Sequence, residues 1–287
     1  MAAPRIDLHL HTTASDGVVP PARLAALAAE AGLTVISVTD HDTVAGLDEA
    51  RDAARQHGLR LIDGIEITAV EAGRDVHVLG YFFNPGDDRF SAFLAEQRRA
   101  RIARVQQIGE RLEALKCPVD IPAILEAAQR SPGRSVGRPA VADALVAAGH
   151  AVDRRDAFDR FLAAGGPAFV ERCGPSVADV IAVVAAAGGI TSLAHPGLTR
   201  VDDDLARFAG SGLNALEVRH RDHSPATEAR YRDVAAALGL AVSAGSDFHG
   251  VGERANLGDI SLDAGELDRL EDLARERRPP AAGTGAA

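Results

Sequence analysis

A chain of 287 residues with 46% hydrophobic content can build one barrel-sized domain carrying a smaller insertion, and its composition is not that of a disordered segment. A formal net charge of −10 argues against capture of nucleic acid over a broad basic surface, so an anionic substrate would need a local positive site such as bound metal ions. Val177 to Leu193, the most apolar stretch, carries Asp179 and a Gly-Gly break and is too short to cross a bilayer; Met1–Arg5 lacks signal-peptide architecture, so no membrane association and a cytoplasmic location are expected.

In chain order, Ile6–Leu10 reads as a short strand. Pro20–Ala31 reads as an Ala/Leu-rich helix, with Pro at its start and Gly32 at its end. Thr34–Thr39 (TVISVT) is β-branched and apolar, the pattern of a buried parallel strand. Val44–His57 is helical up to Gly58, and Leu59–Thr68 and Asp75–Phe83 are strands joined by a turn near Gly73. From about 86 to 170 the signals are helical: a long Arg- and Glu-rich helix at Ser91–Leu115, then helices near 121–130, 136–148 and 153–163. We expect this stretch to be an inserted helical subdomain. After Pro175 come a helix at Val177–Ala187, strands at Ile190–Ala194, Leu213–Val218 and Ala241–Ala244, and helices at about 202–210, 225–238 and 265–277. Residues 279–287 are expected to be a flexible tail. The fold class is therefore α/β, a parallel sheet wrapped by helices and closed or nearly closed into a seven-stranded barrel from 1–85 and 171–278, with an open doubly wound sheet as the alternative. Cys117 and Cys173 form no CxxC pair and are expected to be free, buried thiols.

His, Asp and Glu residues cluster at the C-terminal ends of these strands, where α/β barrels build their sites. Strand one gives His9, His11 and Asp16; strand two gives Asp40, His41 and Asp42; strand three gives Glu66 and strand four His77. Strand five gives His195, strand six Glu217, and strand seven Asp247 and His249. In His9-Leu10-His11, residues i and i+2 share one face of a strand, so both imidazoles can reach one metal. Glu66 alternates with apolar neighbours, and burial of a lone carboxylate there would be costly unless it bridges cations or pairs with an arginine. Mixed imidazole and carboxylate ligands suit Mn²⁺, Fe²⁺ or Zn²⁺.

HLHTTASDG at 9–17, TDHDT at 39–43, GIEIT at 64–68, HVLGY at 77–81, AHPG at 194–197 and GSDFHG at 245–250 together resemble the PHP (polymerase and histidinol phosphatase) family. The resemblance implies a distorted (β/α)7 barrel with a trinuclear site: one metal on His9, His11, Glu66 and Asp247, a second on Glu66, His77 and His195, a third on Asp16, His41 and His249. Manganese is the expected ion, with two or three per chain. The helical insertion resembles the subgroup of 3′,5′-nucleoside bisphosphate phosphatases and 5′→3′ exoribonucleases, whose GRPH motif is matched by Gly137-Arg138-Pro139, with Ala140 where the His is expected. A phosphate ester of a nucleotide or short oligonucleotide is the implied substrate, cleaved by a metal-bound hydroxide. Arg138 and His223 are expected to be catalytic and phosphate-holding, with Arg219 and His220 adding positive charge to substrate binding. A histidinol-phosphate-type phosphatase, an amidohydrolase-like C–N hydrolase and a non-catalytic PHP binding module are the alternatives. His57 and His150 sit beside glycines at helix ends and read as structural.

Overall fold

The computed structural model describes residues 4–130, 135–250 and 257–277; the expected tail at 279–287 and part of the loop before Arg138 lie outside them. Seven strands form one sheet in sequence order: β1 (Ile6–Leu10), β2 (Val35–Val38), β3 (Arg60–Glu71), β4 (Arg74–Tyr81), β5 (Ile190–Leu193), β6 (Ala215–His220) and β7 (Ala241–Gly245). The helices are α1 (Pro21–Glu30), α2 (Leu47–Gln56), α3 (Asp88–Ala114), α4 (Ile121–Arg130), α5 (Arg138–Ala147), α6 (Arg154–Ala157), α7 (Val177–Ala186), α8 (Pro196–Thr199), α9 (Leu205–Gly210), α10 (Pro225–Leu238) and α11 (Ala264–Arg277). Local chemistry sets several of their ends. Ser176 and Asp179 form a reciprocal capping box at the start of α7, and Gly239 takes φ 69° to end α10.

The sheet is mixed, not parallel throughout. β4 runs antiparallel to both β3 and β5, while the remaining pairs are parallel. Only Ala72 and Gly73 separate β3 from β4, and so short a connection permits an antiparallel hairpin alone; a parallel crossover needs a dozen residues or more. The sheet curls until its first and last strands meet. Leu10 bridges Phe248, the His11 amide donates to the Phe248 carbonyl at 2.9 Å, and Leu262 N–H donates to the Ile6 carbonyl.

This closure depends on Gly245. A Cβ there would lie 2.1 Å from the His9 Cβ and 2.6 Å from its backbone nitrogen, so β1 and β7 touch backbone to backbone. Gly245→Ala is expected to destabilise the fold by about 3 kcal/mol or more, because backbone cannot swing aside as a side chain can. A denaturant titration showing a loss under about 1 kcal/mol would mean the strands separate freely.

Two apolar clusters fill the molecule. One lies inside the barrel and under its outer helices, and includes Ile6, Leu8, Ile65, Ile67, Val78, Leu216 and Phe90 of α3. The other belongs to the helical insertion and includes Val105, Ile108 and Leu112 of α3 with Val141, Leu145, Phe161 and Leu162. α3 therefore serves both. It is 27 residues long, a span of about 40 Å, and starts at the base of the barrel because reversed β4 ends there. The chain returns at the opposite end, where Val70 N–H donates to the Pro175 carbonyl and Val177 N–H to Glu71 Oε1. Cys117 is half-buried and Cys173 exposed, so the thiols are free but not buried as expected.

Candidate metal centre

Nine side chains on or just beyond six of the strands meet at the mouth of the barrel. His9 and His11 lie on and just after β1, and their Nε2 atoms are 3.1 Å apart. Asp247, in the loop after β7, places Oδ1 3.4 Å from His9 Nε2 and 3.2 Å from His11 Nε2. Glu66 occupies the middle. Its Oε1 lies 3.0 Å from His77 Nδ1, 3.1 Å from His195 Nε2 and 3.5 Å from His9 Nε2. Its Oε2 lies 3.0 Å from His41 Nδ1 and 3.4 Å from His11 Nε2. On the outer side, Asp16 approaches His249 Nε2 at 3.3 Å, with His41 Nε2 and His11 Nδ1 each at 3.7 Å. Four overlapping sets of donor atoms result: His11, Asp16, His41 and His249; His9, His11 and Asp247; His9, Glu66 and His195; and His41, Glu66 and His77.

β4 brings in His77 by a route other than the one expected. Because the strand is reversed, His77 reaches the mouth from its N-terminal half, paired across from Thr68. Glu66 is mid-strand but lies beyond the end of β2, where β3 continues upward and bridges His41. Asp42, His195 and Asp247 adopt φ of 52°, 29° and 51°, conformations that typically store about 1–3 kcal/mol each in non-glycine residues and recur at functional sites.

The donor set fits divalent cations. His41 Nδ1 and His77 Nδ1 sit 3.0 Å from Glu66 oxygens yet have no hydrogen-bond partner, and His11 Nδ1 and His195 Nδ1 are likewise buried without one. Nitrogens that approach carboxylate oxygens without aligning for a proton are arranged to share a third centre. Burial pushes the Glu66 carboxyl up, but the imidazoles of His41, His77 and His9 hold it well below its ordinary range. Burial raises Asp247 too, and His9 and His11 outweigh it, so both carboxylates stay charged. Burial and the adjacent His249 push His11 down to about 4, which keeps it in the neutral, ligating form.

Carboxylates outside the cluster fix its ligands. Glu217 of β6 accepts from His9 Nδ1 at 2.8 Å and from the His195 backbone N–H at 2.7 Å. It thereby fixes the His9 tautomer, leaving Nε2 to face the centre. Asp40 accepts from Thr12 N–H (2.8 Å), Thr12 Oγ1 (2.6 Å) and Ser15 Oγ (2.6 Å), which pins the loop carrying Asp16. Glu217→Gln is expected to weaken divalent-cation affinity by about 10–100-fold while the fold persists, as measured by calorimetric titration with Mn²⁺. An unchanged affinity would show that the His9 tautomer does not matter.

The residues expected to touch substrate divide. Arg138 opens α5 beside the cluster; its Nη2 donates to Asp75 Oδ2 at 2.9 Å, and its guanidinium lies 5.8 Å from Phe158 and 5.9 Å from Phe169. Arg219 does not reach the site. The pairing of β6 with β7 slips between Glu217 and Arg219, a bulge that breaks the two-residue alternation. Glu217 and His220 face inward as a result, while Arg219 turns out to the Ser261 carbonyl at 2.7 Å. His220 is fully buried, with Nε2 3.5 Å from Asp247 Oδ2. His223 is held by two hydrogen bonds. Its Nδ1 lies 2.8 Å from the Val218 carbonyl and its Nε2 accepts from Gly197 N–H at 3.2 Å. His57 ends α2, and His150 bonds the Pro118 carbonyl.

Arg101 and Arg104 of α3, and Arg172 at the end of the insertion, were not singled out from the sequence. Arg101 Nε donates to Asp42 Oδ2 at 2.5 Å and its Nη2 to Thr68 Oγ1 at 3.1 Å; Arg172 donates to the same Asp42 oxygen at 2.8 Å. The signal was faint: Arg101 and Arg104 are three apart, on one face of a helix crowded with other arginines.

Two cavities open from the cluster. One, of about 170 Å³, is lined by the four arginines with Asp16, His41, His77 and Asp75. The other, of about 560 Å³, lies between residues 13–18 and helices α4 and α5, with Ala127, Ile124, Pro139 and Ala144 along it. Asp16, His41 and Arg101 border both.

The family profile for the PHP domain matches residues 7–115. The chain is 34% identical to the 5′-3′ exoribonuclease of Haemophilus influenzae, covering 85% of this chain and 90% of that one. It is 30% identical to the 3′,5′-nucleoside bisphosphate phosphatase of Chromobacterium violaceum, covering 94% of each. Among solved structures, a Bifidobacterium adolescentis protein classed as a metal-dependent phosphoesterase superposes with a TM-score of 0.86 at 35% identity, covering 98% of this chain and 99% of that one.

Proposed function

The chain belongs to the PHP family of metal-dependent phosphoesterases, and on that premise we propose that it hydrolyses phosphate esters of nucleotides, either a 3′,5′-nucleoside bisphosphate to its 5′-monophosphate or a short RNA from its 5′ end. The observation that carries this reading is the convergence of nine imidazole and carboxylate side chains beside a basic cavity and a nucleoside-sized apolar one. Two or three divalent ions, Mn²⁺ first among them, would be held by His9, His11, Glu66 and Asp247, by Glu66, His77 and His195, and by Asp16, His41 and His249. Such ions acidify a water molecule and neutralise phosphoryl oxygens.

The chain's own residues do the rest. Glu66 sets the spacing between the ligand groups, since its two oxygens face different imidazoles. Arg101, bordering both cavities, and Arg138 offer forked donors suited to phosphate oxygens. The larger cavity, of about 560 Å³, is in the range that encloses small ligands, and its Ala, Ile and Pro side chains would pack a nucleoside against aliphatic walls. No Phe, Tyr or Trp lines it among the described residues, and its one aromatic ring is the imidazole of His41, a member of the metal-facing cluster. Aliphatic contact tolerates any base.

With Mn²⁺, 3′,5′-bisphosphoadenosine should release one equivalent of inorganic phosphate and leave AMP, and 5′-phosphorylated RNA oligomers should shorten from the 5′ end. If neither reacts with Mn²⁺, Fe²⁺ or Zn²⁺ while histidinol phosphate or an amide is turned over, the nucleotide reading is wrong.

A further inference from the structure

The donor set of His9, His11 and Asp247 is assembled across the seam of the barrel, with two members from β1 and one from the loop after β7. Neighbouring strands elsewhere in the sheet are joined by ladders. Among the described residues β1 and β7 share none; they meet through the Leu10–Phe248 bridge and the backbone contact at Gly245. Asp247 must nevertheless hold its Oδ1 3.4 Å from His9 Nε2 and 3.2 Å from His11 Nε2, on a backbone strained at φ 51°. Two hydrogen bonds bracket it. After it, the Phe248 carbonyl accepts from the His11 N–H at 2.9 Å. Before it, the Ser246 N–H donates to Asp7 Oδ1 at 3.0 Å. The same Oδ1 accepts from the His9 N–H at 3.3 Å. One carboxylate oxygen thus ties the backbone of a β1 ligand to the residue that precedes the β7 ligand.

We infer that Asp7 is a positioning residue of the metal centre, which holds Asp247 and His9 at ligating separation across the seam while taking no place among the ligands. The inference rests on the metal reading above and adds what sets the spacing of the ligands. Asp7 belongs to none of the four donor sets. It is fully buried, and its Oδ2 has no hydrogen-bond partner. A neutral side chain could accept the same two N–H groups without the cost of burying a charge. The charge has two uses at this place. Bonds to an ionised acceptor are shorter and roughly twice as strong as neutral ones, so the bracket before Asp247 is stiff. Residues i and i+2 of a strand share a face, so Asp7 also sets a negative charge on the His9 side of β1, one pleat or roughly 7 Å deeper, behind the positions that cations would occupy. Glu217 acts on the His9 ring through Nδ1; Asp7 acts on main chain, and fixes the distance between ligands that come from opposite edges of the sheet.

Two variants test it. Asp7→Asn keeps the outline and an acceptor oxygen but removes the charge; Asp7→Ala removes the acceptor as well. Calorimetric titration with Mn²⁺ should show affinity weakened about tenfold in Asp7→Asn and about 100-fold in Asp7→Ala, the span typical of residues that orient metal ligands. Hydrolysis of 3′,5′-bisphosphoadenosine should fall at limiting Mn²⁺ and return in Asp7→Asn at saturating Mn²⁺, with KM for the substrate unchanged. Melting separates positioning from packing. Chelated Asp7→Asn should melt within about 2 °C of the chelated wild type. At equal Mn²⁺ it should melt about 3–6 °C below the loaded wild type, the effect of one tenfold-weaker site in a chain this long. Equal Mn²⁺ affinity in wild type and Asp7→Asn overturns the inference while leaving the metal reading intact. A melting loss of the same size with and without Mn²⁺ also overturns it, because Asp7 would then only fill the core. If Asp7→Ala does not fold, the Asp7→Asn comparison decides alone. A wild-type protein that takes up no divalent ion overturns the metal reading and this inference together.

Discussion

Glu66→Gln is expected to lower kcat/KM by at least about a thousandfold, roughly 4 kcal/mol of transition-state stabilisation. No other carboxylate in the cluster faces as many of its six imidazoles: Glu66 meets five, Asp247 three. One oxygen faces His77, His195 and His9, the other His41 and His11, all within 3.5 Å. Glutamine has the same outline, so packing around the buried position survives, but it replaces one acceptor with an NH₂ donor aimed at imidazoles and cations. Metal analysis should show fewer than the wild-type number of bound ions, with the melting temperature little changed after chelation of both proteins. A variant that keeps both its full metal content and wild-type turnover would show that Glu66 does not join the ligand groups.

Removal of the metals should be nearly as severe. The cluster packs Glu66, Asp16 and Asp247 around six imidazoles, four of which have a buried Nδ1 without a hydrogen-bond partner. Chelation is expected to abolish hydrolysis. Ligand linkage at a hundredfold excess over the dissociation constant contributes about 2.7 kcal/mol per site, and each kcal/mol moves the melting temperature of a chain this long by about 2–4 °C. The chelated protein should therefore melt about 5–10 °C lower, and added Mn²⁺ should restore both temperature and activity. The same treatment of Glu66→Gln should shift it far less. No change in either property on complete removal would mean the cluster is an ordinary buried polar network.

Much of the site is legible in the chain because strand geometry is local. The His9-Leu10-His11 spacing forces two imidazoles onto one side, and the βα rhythm puts His41, His195, Asp247 and His249 just past strand ends. The reversal of β4 was also written in the sequence: the two-residue link at Ala72-Gly73 allows nothing else, and it changes how His77 arrives. The outward turn of Arg219 and the inward turn of His220 follow from a bulge in β6, and a bulge depends on how neighbouring strands pair, which no local pattern reports. The hydrogen bond that His223 Nε2 accepts comes from Gly197, 26 residues away in the chain. The arginine pocket is the hardest part to foresee. Arg101, Arg104, Arg138 and Arg172 come from two helices and a loop, and only the tertiary path of α3 makes them neighbours.

That path has a mechanical consequence. α3 is one unbroken helix anchored by Phe90 and Leu94 among the barrel side chains and by Val105, Ile108 and Leu112 in the insertion. It behaves as a cantilever whose free end carries the roof over the mouth. Swinging that roof away would require snapping backbone hydrogen bonds midway along the beam, near the segment that presents Arg101 and Arg104. One continuous helix thus ties the barrel mouth to the helices above it, an arrangement that favours a preformed cleft over one that must close on its substrate.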